Sequence, residues 1–142
     1  MRRKYLLDVS VLIALTEEDH VHRHTATKWF RTPGLDWGLC SFSEAGFLRI
    51  SSNPKLGKLT MGEAGQLLKS FTSRVGYRFW PMLAGWISLD QRLRDRVFGH
   101  QQITDAYLLG LAIKEDGVLV TLDKGLRFLA GAEFSRHVLV LE

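Results

Sequence analysis

Cysteine is almost absent from this chain, and neither a secretory signal nor a membrane segment is apparent. Because Cys40 is the one cysteine among 142 residues, the chain can form no internal disulfide and no zinc ribbon. The basic and apolar start of the chain mimics a secretory signal, but Asp8 interrupts it and three acidic residues follow at positions 17–19. No apolar run is long enough to span a membrane. We therefore expect a reduced, cytoplasmic protein without a membrane segment.

The composition is that of a folded domain with a slightly basic surface. Hydrophobic residues make up 46% of the chain, which is enough for a buried core, and the formal net charge is +4. No repeat, low-complexity tract or linker interrupts the sequence, so we expect a single domain over residues 1–142. The positive charge favours a polyanionic partner, although a charge of this size is a weak signal.

Short apolar segments alternate with longer amphipathic ones along the chain. Strands are predicted over residues 4–7, 37–40, 77–80, 118–122 and 138–141. Helices are predicted over 9–15, 20–32, 43–52, 60–75, 88–98 and 105–115, with a helical turn over 126–129. Strands that are apolar on both faces and alternate with helices are typical of a central, mostly parallel sheet in an α/β fold. We expect helices on both faces of that sheet.

Four acidic residues stand at the edges of apolar segments. Asp8 and Asp123 follow predicted strands, whereas Glu44 and Asp105 lie at the starts of predicted helices. In open α/β sheets the functional site lies beyond the carboxyl ends of the strands, where Asp8 and Asp123 belong; Glu44 follows a strand and faces the same edge. The position of Asp105 is not fixed by this rule. Carboxylates gathered in one place need cations, and their oxygens suit Mg²⁺ or Mn²⁺ and phosphodiester chemistry.

Each of these carboxylates also has a local structural alternative. Asp8 fits a helix cap, and Glu44 fits a capping box with Ser41. Asp105 suits the first turn of a helix, and Asp123 suits a turn. Taken singly, the local roles are the commoner explanation. Glu44 and Asp105 nevertheless share a helix face with apolar residues, which favours inward carboxylates that need a cation or hydrogen-bond donors.

Basic and aromatic side chains give weaker signals of nucleic-acid binding. Phe79, Trp80 and Trp86 suit base stacking, but core or interface packing is the commoner role of such residues. The candidate phosphate contacts follow the acidic motifs in sequence and are Arg49, Lys55, Lys58, Lys124 and Arg127.

Four segments of the sequence carry a family resemblance, and they are residues 7–13 (LDVSVLI), 43–54 (SEAGFLRISSNP), 104–112 (TDAYLLGLA) and 119–125 (LVTLDKG). Together they resemble the PIN-domain ribonucleases, and among them the VapC toxins of bacterial toxin–antitoxin pairs. Each is a weak signal alone, but the four occur in the family's order and spread over most of the chain. The resemblance implies a three-layer PIN-like fold and metal-dependent RNA cleavage.

The resemblance also implies roles for individual residues. Asp8 and Asp105 are expected to be the main ligands of Mg²⁺ or Mn²⁺, while Glu44 and Asp123 complete a catalytic acidic pocket directly or through water. Two further positions match polar residues that support the family's site, and these are Ser10 and Thr121. The implied partners are an RNA substrate, a VapB-type antitoxin and a second copy of the chain in a homodimer or a toxin–antitoxin assembly.

Two other functions stay open. One is an RNA-processing nuclease of the same fold outside any toxin–antitoxin pair. The other is a non-catalytic RNA-binding or assembly module, which is disfavoured because RNA binding alone gains nothing from a negative pocket.

Overall fold

The computed structural model describes residues 2–142 and contains one five-stranded parallel sheet. Its strands are β1 (Lys4–Leu7), β2 (Asp36–Leu39), β3 (Tyr77–Phe79), β4 (Val118–Thr121) and β5 (Val138–Val140). They lie in the order β3-β2-β1-β4-β5, and all neighbouring strands pair in parallel. The two strands followed by Asp8 and Asp123, β1 and β4, are therefore neighbours at the centre of the sheet.

Helices connect the strands. Within residues 2–142 the α-helices are α1 (Val9–Thr16), α2 (Arg23–Phe30), α3 (Ser41–Ser52), α4 (Met61–Thr72), α5 (Gln91–Arg94), α6 (Ile103–Lys114) and α7 (Gly125–Ala130). Short 3₁₀ turns occur at Trp86–Ser88, His100–Gln102 and Ser135–His137. No helix in this described range is both long and apolar enough to cross a membrane.

The side chains of the central strands divide the core into two layers. Leu6 and Leu119 point into a cluster with α6 and α7, whereas Leu7 and Val120 point into a cluster with α1, α3 and α4. This alternation follows from the period of two residues along a strand. Because both faces of β1 and β4 are covered, the buried residues of these strands are mostly apolar: Leu6 and Leu7 in β1 and Val118–Val120 in β4. The predicted α/β fold, with helices on both faces of a parallel sheet, is confirmed.

Most predicted elements agree with the structure to within two residues at each end. The helix predicted over 60–75 begins with the expected capping box between Thr60 and Glu63 and ends at Thr72. The helix predicted over 43–52 begins two residues earlier, at Ser41. The helix predicted over 20–32 is shorter, because the residues before Arg23 form turns.

The prediction of a helix over residues 88–98 is wrong for most of these residues. Ser88 lies in a 3₁₀ turn, and the following α5 contains four residues only, Gln91–Arg94. Asp90 caps α5 by accepting a hydrogen bond from the Arg92 backbone N–H at 2.9 Å. Beyond α5 the chain continues in tight turns, and the Arg96 guanidinium contacts the Ala130 carbonyl and Glu133 in another part of the chain.

Candidate active site

The carboxyl ends of β1 and β4 hold the first two acidic residues. Asp8 follows β1 directly, and its backbone N–H donates to the Val120 carbonyl of β4 at 2.9 Å. Asp123 lies two residues beyond the end of β4. Helix α6 precedes β4 in sequence and leads into its amino end, so the first turn of α6, which carries Asp105, lies at the carboxyl edge. The structure thereby gives the position of Asp105, which the rule that sites lie beyond the carboxyl ends of strands does not determine.

Asp8 is held by two hydroxyl groups. Its carboxylate is buried, with 8% of the residue exposed, and Oδ2 accepts hydrogen bonds from Thr121 Oγ1 at 2.6 Å and from Ser10 Oγ at 3.2 Å. Asp8 precedes α1, yet within residues 2–142 its side chain makes no capping hydrogen bond to that helix. The capping alternative therefore does not explain Asp8.

The same hydroxyls also accept hydrogen bonds from the backbone that follows β4. Ser10 Oγ accepts from the Leu122 N–H at 3.2 Å, and Thr121 Oγ1 accepts from the Asp123 N–H at 3.0 Å. Each hydroxyl thus donates to Asp8 while it fixes the turn that carries Asp123. The two polar residues predicted to support the site, Ser10 and Thr121, do contact it.

Burial raises the pKa of Asp8 above its ordinary value, and hydrogen bonds from the Thr121 and Ser10 hydroxyls offset part of that rise. The charge of Asp123 adds to the rise. The pKa of Asp105 is raised to about 7, mainly by burial and then by the charges of Asp8 and Asp123. The charges of Asp8 and Asp123 therefore act on Asp105, and the charge of Asp123 acts on Asp8, so the three carboxylates share one electrostatic environment.

Asp123 stabilises a turn and also contributes negative charge to the acid cluster. Its Oδ1 accepts a hydrogen bond from the Gly125 N–H at 2.8 Å, which is the turn role predicted as its local alternative. The side chain is exposed. Its position combines both roles, because a carboxylate with one oxygen in a turn still has a second oxygen for a cation or water.

Glu44 lies near Tyr77 of β3, on whose hydroxyl its charge acts. It is the fourth residue of α3 and half-buried, and burial raises its pKa. The pKa of Tyr77 is raised to about 12 by burial and then by the charges of Glu44 and Cys40. The capping box with Ser41 is ruled out, because Ser41 is the first residue of the helix and Cys40 precedes it. Glu44 thus flanks the acid cluster on the β2–β3 side.

Tyr77 is a neighbour of the site that the sequence does not indicate. No sequence pattern predicts that Tyr77 lies beside Glu44, because this position depends on the pairing of β3 with β2. In that pairing Tyr77 lies opposite Trp37. Tyr77 and Trp37 also contact each other with ring centroids 5.1 Å apart.

The five candidate phosphate contacts fall into two groups. Lys124 and Arg127 lie close to Asp123 in sequence and both pair with Glu142, at 3.9 Å and 3.1 Å. Lys58 pairs with Asp19 at 2.7 Å beyond the end of α1, and Arg49 and Lys55 lie at or beyond the last turn of α3. Helices α1 and α3 begin at the carboxyl edge and run away from it. The residues of this second group can therefore contact only a substrate that extends past the acid cluster. The full set comprises Arg49, Lys55, Lys58, Lys124 and Arg127.

The chemistry of the acid cluster suits a hard divalent cation. Among residues 2–142, no group of three or more His, Cys, Asp and Glu side chains is arranged to hold a metal ion by itself. Mg²⁺ does not require such a group, since it keeps several waters and takes one or two protein carboxylates together with substrate phosphate oxygens. Asp8 and Asp105 provide two carboxylates, each with a pKa that is raised mainly by burial and further by neighbouring carboxylate charge. Hard oxygen donors of this kind fit the ion.

Comparison with known proteins places the chain in a family. The sequence model of the PIN domain matches residues 5–132. The chain is 38% identical to ribonuclease VapC38 of Mycobacterium tuberculosis over 128 residues, covering 88% of this chain and 89% of that relative. This chain belongs to the PIN-domain VapC family. It is also 38% identical to ribonuclease VapC39 of the same organism over 130 residues, covering 89% of this chain and 94% of that relative.

The fold agrees with a solved structure of this class. VapBC2 from Rickettsia felis, bound to a DNA fragment from its promoter, superposes with a TM-score of 0.59. The match covers 98% of this chain and 99% of the other, at 12% sequence identity. The resemblance to VapC proteins drawn from four short segments is thus confirmed, and so is the PIN-like fold.

Proposed function

We propose that this VapC-family protein is an Mg²⁺- or Mn²⁺-dependent endoribonuclease and the toxin of a type II toxin–antitoxin pair. The observation that supports this most directly is the shared environment of Asp8, Asp105 and Asp123 at the carboxyl edge of the sheet. It occurs in a chain that is 38% identical to proteins named as ribonucleases. The substrate is single-stranded or structured RNA, and the reaction is hydrolysis of a phosphodiester bond.

In this proposal Asp8 and Asp105 bind the metal ion, and Glu44 and Asp123 complete the pocket directly or through water. The ion, when bound, lowers the pKa of a coordinated water and neutralises charge that develops on the phosphate. Asp105 has a pKa of about 7, so near neutral pH part of the protein carries a proton on this carboxyl group, and a cation displaces that proton when it binds.

The role of Thr121 and Ser10 is to hold Asp8 in one orientation. Two hydroxyl donors on Oδ2 stabilise the ionised carboxylate and leave Oδ1 available for a ligand. The Asp8 residue as a whole is only 8% exposed. The side chain is therefore preorganised for a ligand at the carboxyl edge of the sheet.

The proposed partners follow from the same family membership. A VapB-type antitoxin is expected to cover the acid cluster, and an arginine is suited to enter a pocket of uncompensated carboxylates. The Rickettsia relative forms a complex with its antitoxin, as its name VapBC2 states. We further propose a homodimer that assembles with the antitoxin into a hetero-oligomer. A neighbouring gene that encodes a small DNA-binding protein would support the toxin role over that of an RNA-processing nuclease.

The deciding experiment is cleavage of a labelled single-stranded RNA by the purified chain, freed of any partner, in Mg²⁺ or Mn²⁺ and in EDTA. We expect cleavage that needs the metal and falls by about a hundred-fold or more in Asp8→Asn and in Asp105→Asn, because each removes a charge that faces the ion. Circular dichroism spectra must show that both variants are folded.

Asp116→Asn is the matched control. Asp116 lies in the loop between α6 and β4, at the amino edge of the sheet, and has a φ of 51°, a conformation that asparagine tolerates. This variant should cleave at the wild-type rate. Full activity of folded Asp105→Asn contradicts the assignment of the site. RNA binding that persists in EDTA, with no cleavage of several RNAs at any metal concentration, favours a non-catalytic RNA-binding module instead.

A further inference from the structure

A cavity of about 200 Å³ lies at the amino edge of the sheet, on the opposite side from the acid cluster. Its walls come from residues at the amino ends of three neighbouring strands, β1, β4 and β5. These strands contain three or four residues each, so the cavity lies about 10 Å or more from the carboxyl edge. The polar side chains that line it are Arg2, Arg3, Asp116, Arg136 and His137.

His137 is the buried polar residue of this cavity. Only 4% of the residue is exposed, and its Nδ1 lies 2.7 Å from the Gly117 carbonyl oxygen. Because a carbonyl oxygen only accepts, Nδ1 carries a proton, and Nε2 of the neutral ring is an acceptor. Among residues 2–142, Nε2 has no hydrogen-bond partner, and it is not sealed from solvent. The second nitrogen of this buried ring is therefore available to a ligand in the cavity.

Three arginines give the cavity a positive charge that the protein balances only in part. The Arg2 guanidinium is held by the neutral Gly34 carbonyl, through Nε at 3.1 Å and through Nη2. Arg3 makes no ion pair within the part of the chain that the structure describes. Arg136 lies 3.7 Å from Asp116, and these two side chains are 72% and 74% exposed, so the pair is weak. The wall thus sets three guanidinium groups against one carboxylate.

We propose that this cavity binds a protonated phosphate group, either inorganic phosphate or the terminal phosphate of a nucleotide or an RNA strand. Guanidinium groups match the oxygens of phosphate with parallel N–H donors. A phosphate group that retains one proton also has an O–H, which can donate to Nε2 of His137. Sulfate and internal phosphodiesters have negative oxygens but lack this proton, so the cavity should discriminate against both.

This proposal goes beyond the proposed ribonuclease function, because no residue of the acid cluster takes part in it. A bound phosphate would connect the segment before β1 with the turn before β5, since Arg3 and Arg136 line the cavity from those two segments. A ligand that binds only the folded state stabilises it. Phosphate should therefore raise the melting temperature in proportion to the logarithm of its concentration.

Calorimetry compares inorganic phosphate with sulfate on the wild type at pH 7 in EDTA. We expect phosphate to bind about five-fold more tightly than sulfate or better, because it alone satisfies Nε2 of His137. Equal affinities for the two anions overturn the proposal. Failure of phosphate to show saturable binding below about 20 mM also overturns it.

The ring of His137 gives a direct readout of the site. In long-range ¹H–¹⁵N spectra, phosphate should shift the Nε2 resonance of His137, whereas Nδ1 stays bonded to Gly117. His100 is the internal reference, because it is exposed and precedes α6 near the carboxyl edge. Phosphate that leaves Nε2 of His137 unshifted, or that shifts both histidines alike, contradicts the proposal.

Two variants locate the site. Arg3→Gln should weaken phosphate binding about tenfold, since it removes a charged donor. His137→Asn keeps an N–H near the position of Nδ1 for Gly117 but has no counterpart of Nε2, so it should lose the preference for phosphate over sulfate. Arg3 is exposed, so Arg3→Gln tests the site even where His137→Asn fails to fold.

Arg78→Gln is the matched control for Arg3→Gln. Arg78 is an exposed arginine on β3, at the opposite end of the sheet from β5, and its loss changes the net charge equally. This variant should bind phosphate as the wild type does. If Arg3→Gln and Arg78→Gln weaken binding by the same factor, the binding reflects net charge, and the proposal is overturned.

RNA strands with and without a terminal phosphate distinguish the two sources of the ligand. They are bound to the Asp105→Asn variant in EDTA, so that no cleavage occurs. A natural RNA end should bind about five-fold more tightly with its phosphate than without it, and Arg3→Gln in the same background should remove the difference. Equal binding of both strands, together with saturable binding of inorganic phosphate, assigns the site to free phosphate. Phosphate binding by a wild type that cleaves no RNA supports this proposal and rejects the ribonuclease function, so the two assignments fail independently.

Discussion

Thr121 donates a 2.6 Å hydrogen bond to the buried carboxylate of Asp8, across 113 positions of sequence. The bond joins the ends of two neighbouring parallel strands, β1 and β4. It also stabilises the ionised form of Asp8, because a hydroxyl donor lowers the pKa that burial raises. This bond is therefore one of the contacts that set the pH dependence of the proposed activity, together with the titration of Asp105.

Replacement of Thr121 by valine should move the acidic limb of the pH–rate profile to higher pH. Valine fills nearly the same buried space but cannot donate, so the pKa of Asp8 rises further and the ionised carboxylate is lost first at low pH. We expect about a tenfold loss of cleavage near pH 7, since a hydrogen bond to a charged group contributes about 1.5–3 kcal/mol. Thr121→Ser keeps the hydroxyl and should restore the profile. A loss by the same factor at every pH would contradict this account.

The stability of the metal-free protein should fall as pH rises from about 4 toward about 7. The folded pKa of Asp105 is about 7, well above the ordinary value of 3.8, so the folded state binds the proton more tightly than the unfolded state. The stability that this proton contributes is fully present below the unfolded pKa and is lost as pH rises through the folded pKa. Thermal unfolding in EDTA between pH 4.5 and 7.5 measures this loss.

Asp105→Asn is the comparison for that experiment, because asparagine has no proton to lose. Its melting temperature should depend less on pH than that of the wild type, and Mg²⁺ should stabilise the wild type more than the variant at pH 7.5. Parallel curves for the two proteins in EDTA would show that Asp105 does not titrate in this range.

Removal of the negative charge at Glu142 should strengthen RNA binding. Glu142 pairs with Lys124 and Arg127 close to the site, so Glu142→Gln leaves both cations available to phosphates. Lys124→Gln should weaken binding and reduce the slope of log affinity against log salt by about one. Lys114→Gln, at the far end of α6, is the control with the same charge change. RNA affinity is measured for each variant at several salt concentrations. If the two lysine variants weaken binding equally, the loss of affinity comes from net charge alone.

Gly38 and Gly65 should respond in opposite ways to alanine. A Cβ on Gly38 would lie 1.8 Å from the Arg78 carbonyl oxygen and 2.6 Å from Trp80 Cδ1, so Gly38→Ala separates β2 from β3 and destabilises by about 1–3 kcal/mol or more. A Cβ on Gly65, inside α4, would meet no atom within 4 Å beyond the backbone of its own helix, so Gly65→Ala should stabilise by about 0.4–1 kcal/mol. Urea unfolding of both variants provides the measurement.

The central part of the fold could be predicted from the sequence because its signals are local. The apolar runs that become β1 and β4 are buried on both faces, and parallel strands place the residues that follow them at one edge. Those two facts place Asp8 and Asp123 at the same edge, and the pairing of β1 with β4 makes them neighbours. The position of Asp105 also depends on the direction of α6, which the strand pattern does not give. Its assignment to the site came from the resemblance of four segments to one family.

The errors occurred where distant contacts decide the local structure. Residues 95–98 have a composition compatible with a helix, but the Arg96 side chain is held by the Ala130 carbonyl, and the backbone of α5 gives way to tight turns. The position of Glu44 beside Tyr77 depends on the register between β2 and β3, which no local pattern specifies.

The position of β1 between β2 and β4 has a consequence for synthesis of the chain on the ribosome. Asp8 is among the first residues made, yet its hydrogen-bond donor Thr121 and the neighbouring Asp123 are made more than a hundred positions later. A nascent chain therefore carries an incomplete acid cluster throughout most of its translation. The ribosome that makes this protein is exposed to a finished site only after β4 has left the exit tunnel and paired with β1.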